Sequence, residues 1–123
     1  MTTGTNEQLY DLSYLNQIFQ CNQEMIHNII QLFLEQVPNY INEMEICVQN
    51  KDFFALHPLA HKAKSSIAML GLRDMEERII KIEKDSKEHQ NNEGLVSLVS
   101  QVKSDCAAVY VQLQMLLNSQ SAA

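Results

Sequence analysis

Apolar residues recur at three- and four-residue intervals along almost all of this 123-residue chain, and only three glycines and two prolines interrupt them. That spacing gathers them on one stripe of an α-helix, and the scarcity of turn formers leaves room for a few long helices with short connections. One stripe runs through Ile26, Ile29, Ile30, Phe33, Val37, Ile41, Met44 and Val48. Asn22 is placed to cap this helix, which reaches Gln49; because the stripe continues past Pro38, the proline is expected to bend it without ending it. Another stripe, Leu95, Leu98, Val99, Val102, Cys106, Val109, Leu113, Leu116 and Leu117, marks a last helix from Leu95 to Asn118.

Two further segments lie between these. The spacing predicts a helix capped by Asp52 and ending near Gly71, in which Pro58 either kinks the helix or marks the first turn of a new one. A fourth helix, from Arg73 to Glu88, carries Met75, Ile79 and Ile82 on one face, and "HQNNEG" at 89–94 reads as a loop. Near the N-terminus Leu12, Leu15 and Phe19 suggest a short helix that cannot stand alone. Residues 1–7 and 119–123 read as flexible tails. The fold expected is all-α: an antiparallel four-helix bundle with a short extra N-terminal helix as a lid over one end, in a single domain spanning 1–123. Met1 and the short tails favour a stand-alone chain.

The net charge of −6 and the absence of any run of Lys and Arg exclude a clustered basic face, so nucleic acid is not an expected partner. No signal-like segment opens the chain and no apolar run reaches the roughly 18 residues a bilayer span needs. A cytoplasmic protein without membrane contact is expected. Cys21, Cys47 and Cys106 are odd in number and widely separated, which fits free buried thiols better than disulfides or a metal cluster.

The stretch "AHKAKSSIAMLGL", residues 60–72, sets polar groups inside a helical segment. At 100° per residue, Leu59, Ala63, Ile67 and Leu70 share one sector, with Leu56 beside it. His57, His61, Lys64, Ser65 and Ala68 share another, and Lys62 lies on a third. His61 therefore points away from the core, flanked by a cation and by small residues that leave it accessible. His57 and His61 also stand at the i, i+4 spacing of a metal-binding helix, but Pro58 lies between them and no third ligand can be named. "EERIIKIEKDSKE" reads as a solvated charged face with i, i+4 pairs, and His27 and His89 read as incidental.

"AHKAKSSIAMLGL" closely resembles the signature of histidine-containing phosphotransfer domains, Ala-His-x-Leu-Lys-Gly-Ser-Ser followed by Leu-Gly. "LFLEQVPNYINEM" resembles the family's Phe-Leu-x-x-x-Pro segment, and "NKDFFAL" its acidic start to the histidine helix. The resemblance runs from about Tyr10 to Glu83, with the last helix consistent but featureless. It implies that His61 is the phosphorylated histidine, Lys64 the lysine that stabilises its charge, and Gly71 the glycine that closes the helix. Ala63 replaces the usual Leu, and Ser65 the usual Gly. A serine is still small enough for a partner's close approach, and its hydroxyl is a candidate donor to the phosphoryl group.

A neutral imidazole is a competent nucleophile at pH 7 toward an activated acyl phosphate. The isolated Gly4, Gly71 and Gly94 cannot form a nucleotide-gripping loop, and no carboxylate cluster beside His61 is evident to hold magnesium. The expectation is a carrier without cofactor, not an ATP-using kinase. The resemblance implies that partners are receiver domains, which bring the aspartyl phosphate and magnesium, and a histidine kinase, hybrid or not. Complexes are expected to be transient and the chain monomeric, docking through an apolar patch of the first two helices. The competing reading is a bundle that binds partners without phosphorylation.

Overall fold

Asn22 opens the longest uninterrupted apolar stripe, and its side-chain oxygen accepts a 3.2 Å hydrogen bond from the Met25 amide, filling one of the vacant donors of a helix start. The computed structural model describes residues 7–122, with side chains through Ser119. Its helices are α1 (Ser13–Ile18), α2 (Gln23–Gln49), α3 (Leu56–Met69), α4 (Arg73–Lys87) and α5 (Asn92–Ala122), and a 3₁₀ turn, Phe53–Ala55, precedes α3. No strand occurs among the described residues, so the chain is an all-α bundle.

α2 continues past Pro38 as one helix, so the proline does not end it. Pro38 offers no amide to the Leu34 carbonyl, and one residue along the Asn39 side-chain amide donates to the Glu35 carbonyl at 3.1 Å, adding a donor where the ladder is weakened. Pro58 stands in the first turn of α3, where its missing amide costs nothing, so of its two expected roles it takes the second. Asp52 does not cap α3. The intervening 3₁₀ turn moves the helix start to Leu56, and the Asp52 side chain makes no capping bond. α5 begins at Asn92, inside the expected loop, because Asn91 takes φ 65° and its carbonyl already accepts the Leu95 amide at 2.8 Å. α5 also stays helical to Ala122, so 119–122 are not a loose tail. Residues 1–6 and 123 lie outside the described residues.

The predicted stripes form the core. Ile26, Ile30, Phe33, Val37, Ile41 and Met44 of α2 meet Leu56, Leu59, Ala63 and Ile67 of α3, Met75, Ile79 and Ile82 of α4, and Leu95, Val99, Val102, Cys106, Val109, Leu113 and Leu117 of α5, all buried, with Leu98 and Leu116 half-buried beside them. At about 1.5–3 kcal/mol for each large side chain, this burial is what holds helices whose isolated stability is marginal. α2 and α5 run in opposite senses: Glu45 pairs with Lys103 at 2.7 Å, while the earlier Pro38 and Ile41 share a groove with the later Cys106, Ala107 and Tyr110. Arg78 pairs with Asp105 across α4 and α5. α1 is held by Leu15, which is fully buried; Leu12 and Phe19 pack beside it.

Gly71 lets α3 stop and turn within two residues. It adopts φ +65°, its amide bonds the Ala68 carbonyl and the next amide, of Leu72, bonds Ile67, so the orphan carbonyls of the helix end are filled. The same backbone accepts the N-terminal segment: the Asp11 amide donates to Leu70 at 2.9 Å, and a Cβ at position 71 would lie 2.6 Å from the Asp11 carbonyl oxygen. Gln112 fastens that segment from α5, accepting from the Leu9 amide at 2.8 Å and donating to the Glu7 carbonyl at 2.7 Å. Residue 7 therefore belongs to a strapped segment.

The thiols are free, but only Cys106 is buried; Cys47 is half-buried and Cys21 is exposed, in the turn between α1 and α2. Burial pushes the Cys106 thiol up to about 11, which keeps it protonated and unreactive at neutral pH. No described helix is long and apolar enough to cross a membrane.

Candidate functional site

α3 presents two faces, as its wheel predicts. Leu59, Ala63, Ile67 and Leu70 are buried, whereas His61 and Ser65 are exposed and His57, Lys64 and Ala68 half-buried on the opposite side. Two-thirds of the His61 side chain is open to solvent (67%). With no residue larger than serine at 65 or 68 on its C-terminal side, a partner can reach the ring directly.

The short Gly71–Leu72 connection folds α4 back along α3, and this brings Glu83 to His61. Glu83 is equidistant with His61 from Leu72, the position that a tight antiparallel helical hairpin sets opposite it. Its two carboxylate oxygens are divided between two α3 residues one turn apart: Oε2 lies 2.7 Å from Nδ1 of His61, and Oε1 accepts from Nζ of Lys64, also at 2.7 Å. The carboxylate is largely covered, its side chain 15% exposed, so these bonds are less diluted by water than an open surface pair. The Lys64 hydrogen bond, with a further one from His61 and the Lys64 charge, holds the Glu83 carboxyl below its usual value against the opposing effect of burial. Glu83 is thus an ionised acceptor throughout the neutral range.

A carboxylate can only accept. The Nδ1 of His61 that touches it therefore carries the proton, which leaves the lone pair of the neutral ring on Nε2, the nitrogen turned away from Glu83. This is the state a nucleophilic imidazole requires. Lys64, expected beside the histidine, is beside it through Glu83: the cation neutralises the carboxylate that orients the ring.

His57 also bonds α4, its Nδ1 lying 3.2 Å from the Glu83 backbone carbonyl. Its ring stands 6.4 Å from that of His61, at 30° to it. Among the described residues no group of three or more metal-ligating side chains converges here or elsewhere. Ser65 lies on the same exposed face one turn further along, and Ala68 beyond it.

Glu83 was not legible as part of the site, because "EERIIKIEKDSKE" has the composition of a solvated face. That reading is corrected at three positions: Glu83 faces α3, and Asp85 and Ser86 are buried. Ser86 follows Ile79 and Ile82 in the core stripe, where its hydroxyl donates to the Ile82 carbonyl at 2.6 Å. Asp85 accepts from Asn91 at 2.8 Å and from Lys81 at 3.1 Å, locking the end of α4 to the start of α5. The equal spacing about Gly71–Leu72 was the available signal for Glu83. His89, too, has a packing partner: its ring stacks on Phe54 at 4.7 Å, tying the end of α4 to the turn before α3.

The model of the Hpt domain family matches residues 28–119, from the second turn of α2 to the last turn of α5. Searches of curated proteins and of solved structures returned no significant match. The family match covers most of the chain and includes the whole α3–α4 hairpin with its exposed histidine, so the chain belongs to the Hpt domain family, whose members carry phosphoryl groups on histidine in two-component phosphorelays.

Proposed function

We propose that this chain accepts a phosphoryl group on Nε2 of His61 from the aspartyl phosphate of a receiver domain and passes it to a second receiver. The observation that carries the reading is the single hydrogen bond from Nδ1 of His61 to Glu83, which leaves a solvent-facing lone pair on Nε2.

In the transfer, Nε2 attacks phosphorus, the P–O bond to the receiver aspartate breaks, and that aspartate leaves as a carboxylate. No proton has to move. The His61 ring, now bearing both the N–P bond and the Nδ1 proton, becomes cationic, and the Glu83 carboxylate already on Nδ1 balances that charge. Return of the phosphoryl group to a second aspartate reverses the step. Lys64 is the charge-stabilising cation: it shares Glu83 in the resting chain and lies one turn from the dianion formed on His61. Magnesium and the acyl phosphate are supplied by the receiver, so the chain is a carrier and not an enzyme.

Receiver docking uses the open face around His61, with the exposed apolar Tyr14 and Ile18 of α1 and Met25 and Leu32 of α2 as its apolar component. Complexes of this kind form transiently, because a relay must release its product. The test is labelling by a phosphorylated receiver followed by peptide mapping. Acid-labile, base-stable label on His61, absent from His61→Gln while receiver binding persists, is the expected result. Receiver binding without label on the wild-type chain supports the phosphorylation-independent module instead.

A further inference from the structure

We propose that His57 is a second anchor for the phosphoryl group carried by His61, and that it engages only by taking up a proton. The inference rests on the assignment of His61 as phosphoryl acceptor and deepens it.

Side chains on an α-helix lean toward its N-terminus, over the residues three and four positions earlier. The His61 ring therefore leans over the turn that holds His57 and away from Ser65, and the two imidazoles stand 6.4 Å apart at 30°. A phosphoryl group on Nε2 extends from that ring on the open face the two histidines share. Lys64, the cation of α3 on this face, is held on the Glu83 carboxylate in the resting chain.

His57 is held ready by α4. A backbone carbonyl can only accept, so the Nδ1 at 3.2 Å from the Glu83 carbonyl carries the proton, and neutral His57 has only a lone pair on Nε2. A lone pair repels a phosphoryl dianion; an Nε2–H donates to it. Contact with phospho-His61 therefore requires one proton from solvent, added to Nε2 of His57, with no covalent bond made or broken. The dianion at this separation favours that proton, so the two events are linked: phosphorylation raises proton affinity at His57, and protonation of His57 stabilises the phosphoryl group. The ionisable residues the structure sets against His57 are His61 on its own helix and Glu83 on α4, with the exposed Lys87 one turn further along α4. None of these except His61 changes its covalent state in the transfer.

The full chain is phosphorylated with phosphoramidate, a small-molecule donor that needs no receiver, and titrated by NMR in parallel with the unphosphorylated chain. The midpoint of the His57 ring resonance is expected to move up by about one pH unit in the phosphorylated chain. The phosphorus resonance is expected to follow that same midpoint in wild type and to lose that step in His57→Gln. An unmoved His57 midpoint in a chain labelled at His61 overturns the anchor while leaving the carrier intact. Label that falls on any residue other than His61, or on none, overturns the carrier assignment and the anchor with it.

Discussion

Nδ1 of His61 lies 2.7 Å from Oε2 of Glu83, a carboxylate delivered from the neighbouring helix, and this one contact fixes which imidazole nitrogen is free to react. Two substitutions separate its components. Glu83→Gln keeps an acceptor oxygen but removes the charge that balances the cationic phosphohistidine; Glu83→Ala removes both. Phosphoryl acceptance at His61 should fall roughly tenfold in the first and further in the second, in line with a charge-assisted bond worth about 1.5–3 kcal/mol. Rapid-quench transfer from a phosphorylated receiver measures it, and equal rates in all three chains would remove Glu83 from the account.

The same pairing gives a pH dependence. The folded Glu83 carboxyl lies below its usual value of 4.5, first because of the Lys64 hydrogen bond, so the stability it contributes is full above about pH 4.5. That contribution is lost as pH falls through the folded midpoint. Urea unfolding between pH 3 and pH 7, values chosen to bracket roughly the span of carboxylate titration, should show a steeper loss in wild type than in Glu83→Gln.

Gly71 serves two structures at once, the end of α3 and the seat of Asp11. Gly71→Ala meets an unfavourable φ and a close approach to backbone, and should cost about 2 kcal/mol or more. Amide exchange at Asp11 should accelerate along with it. A loss confined to global stability, with Asp11 still protected, would mean that the strap does not depend on this residue.

Lys51 is the converse case. It closes α2 with φ 59°, its amide bonded to Val48 and the next one, of Asp52, to Cys47, the same arrangement as at Gly71 but with a side chain present. Lys51→Gly relieves the left-handed strain at the expense of a freer unfolded chain, and should stabilise by about 0.5–1 kcal/mol. Chemical denaturation checks the sign.

Ser65 stands where the Hpt signature carries glycine, and His61 leans away from it. Ser65→Gly should lower stability by a few tenths of a kcal/mol through helix propensity and leave the lifetime of phospho-His61 unchanged within about twofold. A several-fold shorter lifetime would instead assign the hydroxyl a bond to the phosphoryl group.

What could be read from the sequence, and what could not, divides along physical lines. Helical periodicity located the apolar stripes of α2, α3, α4 and α5 and separated the His61 face from the Leu59 face, because burial imposes a 3.6-residue repeat that survives any detail of packing. Asn22 was legible because its cap is a local bond. Asp52 was misread because a 3₁₀ turn costs no sequence signature, and the start of α5 because Asn91 closes the connection in a conformation that asparagine only sometimes adopts. Glu83 and Asp85 were hidden for a different reason. Their roles come from partners on other helices or across a turn, and a charged side chain looks the same in sequence whether it faces solvent or a histidine.

The central claim is that one nitrogen of His61 both receives and returns a phosphoryl group. The most direct measurement is a two-step chase: the chain is labelled by one phosphorylated receiver, separated from it, and mixed with a second, unlabelled receiver and magnesium. Label is predicted to leave His61 and appear on the second receiver, with no transfer through His61→Gln. Label that stays on the wild-type chain, or that passes equally through His61→Gln, would contradict the account.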